Sequence, residues 1–186
     1  MNKYSGALAR RYGTALFEIL VGSSKNQDEF AKHVADIRLI WSFCSKKTIR
    51  YFLIASLTDE ERVQTLELFL KNIFLENQLS PEISSFLKLL LQNKRFREVK
   101  PIFYFFLSRS DEYLGIARAT IISARPIQAF HVNDFEVSLK QVLNKKIVLK
   151  TELDESLKSG FIVKLGHTNI DASFKARLNG LKDLFI

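Results

Sequence analysis

The sequence predicts an α+β fold, with a six-helix bundle over residues 1–105 followed by a small α/β unit with a β-hairpin over residues 106–186. Three observations carry that reading. Apolar residues keep helical spacing, punctuated by cap signals, from Ser5 to Gly115. From Ala117 the period changes, and strand-like segments flank a single helical stretch. Further on, Phe161, Val163 and Leu165 stand at alternate positions before Gly166 and His167, where a glycine permits a two-residue reversal.

The first helix is expected over Ser5 to Val21, ending at Gly22, Ser23 and Ser24. A second, Gln27 to Ser45, carries Phe30, Val34, Ile37, Ile40 and Trp41, and a short third follows at Thr48 to Ile54. Thr58 and Glu61 form a capping box, hydroxyl and carboxylate three residues apart, that opens a fourth helix through Phe74. Ser80 and Pro81 open the fifth, to Gln92, because the missing proline N–H costs nothing in a first turn. The sixth begins near Phe96, holds Pro101 in its first turns and ends at Gly115.

The second unit reads as a strand from Ala117 to Ser123, a helix from Asn133 to Asn144 and a strand from Lys146 to Thr151. Phe135, Leu139, Val142 and Leu143 are expected to face inward. The hairpin pairs Phe161–Leu165 with Thr168–Ile170. Asp171 and Ser173 are suited to capping a terminal helix whose Phe174, Leu178, Leu181 and Phe185 form one apolar stripe. The expected core is Ile121, Leu139, Val142, Val163, Leu178 and Leu181.

Composition narrows the function classes. A hydrophobic content of 47% and a mean hydropathy of −0.01 over 186 residues suit a folded chain that buries a proper core. The longest apolar run, Ile102 to Leu107, is far short of the ~20 residues of a membrane span. Lys3, Arg10 and Arg11 precede the first acid, Glu18, as in a transit peptide. Leu8, Tyr12, Ala15, Leu16, Ile19 and Leu20 keep helical spacing, however, so a structural first helix is the reading, and there is no secretory apolar region.

Catalytic constellations are missing from the sequence. The lone Cys44 excludes an internal disulfide and, between Phe43 and Ser45, reads as a buried inert thiol. His33, His131 and His167 have no metal-site spacing, so no metal is expected. Gly160 and Gly166 are isolated and no phosphate loop follows them, so no nucleotide or other cofactor is expected. Asp154 and Glu155 read as a turn instead of an acid/base pair.

A net charge of +8 raises nucleic acid as a partner, but the excess is spread, +5 over residues 1–105 and +3 over residues 106–186. Lys46–Lys47, Lys94–Arg95–Arg97 and Lys145–Lys146 fall at expected helix ends, where cations offset the dipole. A basic helical RNA-binding or adapter module is the alternative reading. It needs exposed aromatics beside basic residues, and Phe96 between Arg95 and Arg97 is the one such cluster. Basic excess also suits acidic partner helices or an anionic membrane surface.

The first and fifth helices carry surplus apolar surface. At ~100° per residue, Leu8, Ala9, Tyr12, Gly13, Ala15, Leu16, Phe17, Ile19 and Leu20 cover an arc of roughly 200°, where one packing face needs a little over ~100°. On the fifth, Ile83, Phe86, Leu87, Leu90 and Leu91 form a compact stripe, with Leu89 about 60° beyond its edge. Either both helices are central and buried on two sides, or they flank a groove for an amphipathic partner helix.

Several segments together resemble the delta subunit of F-type ATP synthases, the bacterial counterpart of the mitochondrial oligomycin-sensitivity-conferring protein. They are Asp154, Ser156 and Leu157; Gly160 and Phe161; Gly166; and Ile170, Asp171 and Ser173. ARRYGTALFEIL (9–20) is similar to that family's opening helix, LLLQNKRFREVKPI (89–102) to its central helix turn, and RATIISARPI (118–127) to its first strand. Ser159, Lys158, Ala172 and Arg11 depart from the family pattern. The resemblance implies a non-catalytic stator subunit linking the alpha/beta head to the b subunits of the peripheral stalk so that rotary torque is resisted. It implies a groove for the N-terminal helix of an alpha subunit, formed by Tyr12 and Ala15 on the first helix and Ser85, Leu89 and Gln92 on the fifth. The family motif residues Asp154, Ser156, Gly160, Gly166, Asp171 and Ser173 take structural roles. The implied location is peripheral, on the cytoplasmic face of a bacterial inner membrane reached only through the complex, with no nucleic acid partner.

Overall fold

Local cap signals become helix starts wherever a side chain supplies the missing acceptor. In the computed structural model, which describes residues 6–54, 57–74, 79–126, 129–154, 156–157, 161–165 and 168–172, four helix starts follow this rule. Asn26 accepts from the Glu29 N–H at 2.8 Å and opens α2 (Gln27–Phe43), after α1 (Ala7–Ser23). Ser45 accepts from the Thr48 N–H at 3.1 Å and opens α3 (Lys46–Phe52), which therefore starts earlier than its apolar spacing predicts. At α4 (Asp59–Phe74) the capping box is reciprocal. Thr58 Oγ1 accepts from the Glu61 N–H at 3.2 Å, and the Glu61 carboxylate accepts from the Thr58 N–H at 2.7 Å. Ser80 accepts from the Ile83 N–H at 3.4 Å ahead of Pro81 in α5 (Pro81–Gln92).

The end of α5 is a Schellman turn. The Arg95 N–H donates to the Leu90 carbonyl at 2.8 Å and the Lys94 N–H to the Leu91 carbonyl at 2.9 Å, with Lys94 at φ 56°. A 3₁₀ turn, Phe96–Glu98, then leads into α6 (Val99–Tyr113). Phe96 is buried and packs on Phe52 with ring centroids 4.8 Å apart. Lys46 and Lys47 fall in the first turn of α3, which corrects their expected place at a helix end offsetting a dipole. There they oppose it.

Helices α1 and α6 cross at close range because α1 has no side chain at Gly13. A Cβ there would lie 2.8 Å from the Ile102 carbonyl oxygen and 2.9 Å from Phe105 Cβ. Around this crossing Leu16, Leu20, Phe30, Ile37, Leu66, Leu87, Phe103 and Phe106 form the buried core. Arg38 on α2 pairs with Asp111 on α6 at 2.6 Å.

The chain divides into Met1–Leu114 and Gly115–Ile186. The expected cut after residue 105 falls inside α6, whose Phe106 and Leu107 belong to the helical core, so the division moves to the end of that helix. At Gly115 the backbone takes φ 63°, a left-handed value that glycine accepts without strain.

Among its described residues the second unit is a four-stranded sheet in the order β2-β1-β3-β4, with one helix. β1 (Ile116–Ser123) and β2 (Lys146–Leu153) run parallel, joined by α7 (Ala129–Leu143). β3 (Phe161–Leu165) is antiparallel to both β1 and β4 (Thr168–Ala172). Ala119, Ile121, Ile147 and Val163 share one sheet face and pack with Leu139 of α7, while Phe135 and Leu143 flank that contact. Val142 is 48% exposed, against the expectation that it faces inward. Each i+4 step turns the stripe by ~40°, so by the last turn Leu143 faces the sheet and Val142 has rotated ~100° away from it. Leu178 and Leu181, like the expected helix from Phe174 to Phe185, lie outside the described residues. The architecture is α+β, mostly helical with a small sheet.

Candidate helix-binding groove

Two apolar stripes one residue out of step run along α1. Ala9, Gly13, Leu16 and Leu20 are buried, and all four lie on the side turned to the core. Leu8, Tyr12, Ala15 and Ile19 repeat the same 0, 4, 7, 11 spacing one position earlier, and nothing among the described residues covers them fully. Leu8 and Tyr12 are half-buried, Ala15 is exposed and Ile19 is 50% exposed. The wide arc on the first helix is thus two faces, one packed and one open.

α5 repeats the division. Ile83, Leu87, Leu90 and Leu91 are buried, while Ser85, Leu89 and Gln92 are exposed, Leu89 by 43%. Phe86 lies at the border of its open side, and Tyr12 at the border of the open side of α1. Their rings meet edge to face with centroids 6.3 Å apart. That contact joins the two helices at the border of their open sides. The Arg95 guanidinium lies 6.0 Å from the Tyr12 ring centroid, a cation over an aromatic face. Lys88 is drawn away toward Glu67 of α4 at 2.6 Å.

All five residues implied by the resemblance, Tyr12, Ala15, Ser85, Leu89 and Gln92, therefore sit on partly or wholly open sides of α1 and α5. Leu8, Ile19 and Phe86 belong with them and were not singled out from the sequence. The shared spacing of Leu8 and Ile19 with Tyr12 and Ala15 was the available signal. For Phe86 the signal was its place at the edge of the α5 stripe nearest Leu89.

Chemistry is not what the groove offers. Of Leu8, Tyr12, Ala15, Ile19, Ser85, Phe86, Leu89 and Gln92 only Tyr12 is ionisable, and the others are aliphatic, aromatic or a neutral amide or hydroxyl. Among the described residues no cluster of His, Cys, Asp and Glu could hold a metal. Cys44 is buried, and burial pushes its thiol up to about 11 despite the opposing charge of Lys100. Asp154 accepts from the Ser156 hydroxyl at 2.6 Å and the Ser156 N–H at 3.0 Å. Those bonds hold its carboxyl below the usual range, the wrong direction for a general acid. Its own N–H donates to the Ser123 carbonyl at 2.9 Å, so this turn extends the β1–β2 ladder. Asp171 lies within β4, opposite Ile162, so the strand runs past Ile170 and Asp171 is paired in the sheet, which corrects its expected place as a helix cap. Gly160, Gly166, His167 and Ser173 lie outside the described residues.

The sequence pattern of the ATP synthase delta (OSCP) subunit family matches residues 8–185. This chain belongs to that family. It is similar to the ATP synthase subunit delta of Geotalea uraniireducens, 28% identical over 181 residues and 97% of each chain. It is also similar to that of Desulforapulum autotrophicum, 29% identical over 180 residues, 96% of this chain and 94% of the relative. A chain of the cryo-EM structure of the Toxoplasma gondii mitochondrial ATP synthase hexamer has the same fold. The TM-score is 0.66, with 13% identity over 97% of this chain and 98% of that one. Family members are structural and not themselves catalytic, and this chain is a stator subunit of ATP synthase. ATP synthesis and proton transport are functions of the whole complex. No helix among the described residues is long and apolar enough to cross a membrane.

Proposed function

We propose that the open sides of α1 and α5 hold the N-terminal helix of an ATP synthase alpha subunit, and that the second unit grips the b subunits of the peripheral stalk. The two modules divide at the end of α6. Helices α1 to α6 act as one bundle capping the alpha/beta head, and the link between head and stalk resists the torque of the rotating shaft. The uncovered stripe of Leu8, Tyr12, Ala15 and Ile19 beside Leu89 carries this reading, since an apolar helix face without a partner is the surface an amphipathic helix buries. Apolar anchors in such a groove give slow dissociation without chemistry. The bacterial relatives support a location on the cytoplasmic face of a bacterial inner membrane, reached only through the complex.

RNA is not the partner in this reading. Phe96, the aromatic set between Arg95 and Arg97, is buried against Phe52 and offers no face for a base to stack on. Calorimetry of the full chain with a synthetic peptide of the alpha subunit's N-terminal helix tests the proposal. Saturable binding, lost when the apolar face of the peptide is replaced by serine, is the expected result. Absence of binding, or equal binding of the serine peptide, overturns it.

A further inference from the structure

On another part of the helical unit, α3 and the 3₁₀ turn enclose an open cleft of about 550 Å³ lined by Lys46, Ile49, Arg50, Leu53, Ile54 and Arg97. Lys46 and Arg50 are four residues apart on α3, and Ile49 is followed four residues later by Leu53, the residue at the helix C-cap, so cationic and apolar side chains line the cleft side by side. Arg97 comes from the 3₁₀ turn and lines the same cleft. All three cations are exposed, and none forms an ion pair with a described residue. No carboxylate is among the lining residues.

The placement works against the stability of α3. Like charges at i and i+4 repel, and Lys46 and Lys47 occupy a first turn with no acidic residue, where the helix dipole disfavours cations. A ligand bearing carboxylates relieves both effects at once. The openness of the cleft to solvent and its paired stripes suit a segment of chain more than a small enclosed molecule.

We infer that this cleft docks an acidic amphipathic segment of a partner protein, one whose carboxylates meet Lys46, Arg50 and Arg97 while its apolar side covers Ile49, Leu53 and Ile54. The site is separate from the α1–α5 groove and stands independently of the reading given to that groove. Its electrostatic share falls with ionic strength, because all three cations are exposed.

The test is an amide-shift titration of the labelled full chain with a synthetic helical peptide of about 15 residues, roughly four turns, with glutamate on one face and leucine on the other. The expected result is saturable shifts confined to residues 46–54 and 96–98, weakening as salt is raised. They should weaken by about tenfold or more in Lys46→Glu/Arg50→Glu/Arg97→Glu, since three exposed pairs are removed together. Should that variant lose helicity, Arg50→Gln/Arg97→Gln gives the same reading at smaller amplitude. Ala15→Asp leaves the titration unchanged. Shifts elsewhere only, equal shifts with a lysine–leucine peptide, or salt-independent binding overturn the proposal. Displacement of the peptide by phosphatidylglycerol vesicles overturns it in favour of a membrane contact.

Discussion

The two faces of α1 are built from nearly the same material and meet opposite fates. Ala9, Gly13, Leu16 and Leu20 are buried, Gly13 so tightly that a single added carbon meets backbone, while Leu8, Tyr12, Ala15 and Ile19 stay wholly or partly open. Hydrophobicity alone does not separate the two stripes. What separates them is the neighbour: α6 approaches one side to van der Waals distance, while the other side stays partly open where Tyr12 touches Phe86 of α5. Surplus apolar surface on a helix is a mark of function only once the packed side is known.

The sharpest way to break this comparison is Ala15→Asp. An unpaired carboxylate against an apolar partner face is expected to weaken binding of the alpha-subunit peptide by about 2–4 kcal/mol while the urea midpoint of the free chain stays at its wild-type value. A large fall in that midpoint would place Ala15 in the core and erase the distinction between the faces. Gly13→Ala is the converse. Alanine ordinarily favours a helix interior by up to about 1 kcal/mol over glycine, but here the colliding atom is a backbone carbonyl that cannot swing aside. Chemical denaturation is therefore expected to show a loss of about 1–3 kcal/mol.

A smaller effect sharpens the picture at the end of α5. Lys94 holds a left-handed backbone that disfavours any side chain, so Lys94→Gly is expected to stabilise the chain by about 1 kcal/mol in urea and leave peptide affinity as it was. The smallest effect lies at the capping box, which touches neither face of α1. The Thr58 N–H, and then its hydroxyl, hold the Glu61 carboxyl below its usual range. A group so lowered stabilises the fold above its unfolded pKa of about 4.3 and loses that contribution as pH falls through the lower folded value. Amide exchange in the first turn of α4 should therefore quicken as pH drops below about 4, after correction for intrinsic rates, and less so in Glu61→Gln.

Legibility followed the range of the interaction. The capping box at Thr58, the proline start of α5 and the alternation at Val163 and Leu165 all rest on contacts within a few residues, and each was readable in the chain. Lys46 and Lys47 were misplaced because the spacing rule started α3 at Thr48, whereas the hydroxyl of Ser45 starts it at Lys46. Val142 was misplaced because a helix on a sheet buries a stripe that rotates along its length. Phe86 stood at the edge of its stripe in the sequence, but which neighbour meets that edge depends on where α1 lies.

By itself the sequence determined the α+β class, the helix starts at Thr58 and Ser80 and the order of the described helices and strands, and it showed that α1 carries more apolar surface than one packing face uses. Those properties are set by backbone hydrogen bonding and side-chain period, which act over a few residues. Only the tertiary structure decided which stripe of α1 is core, that the helical unit continues to the end of α6, and that Lys46, Arg50 and Arg97 line one cleft. Each of these depends on the approach of segments distant in the chain, and the steric fit of Gly13 against Ile102 is a property of both helices that neither one encodes alone.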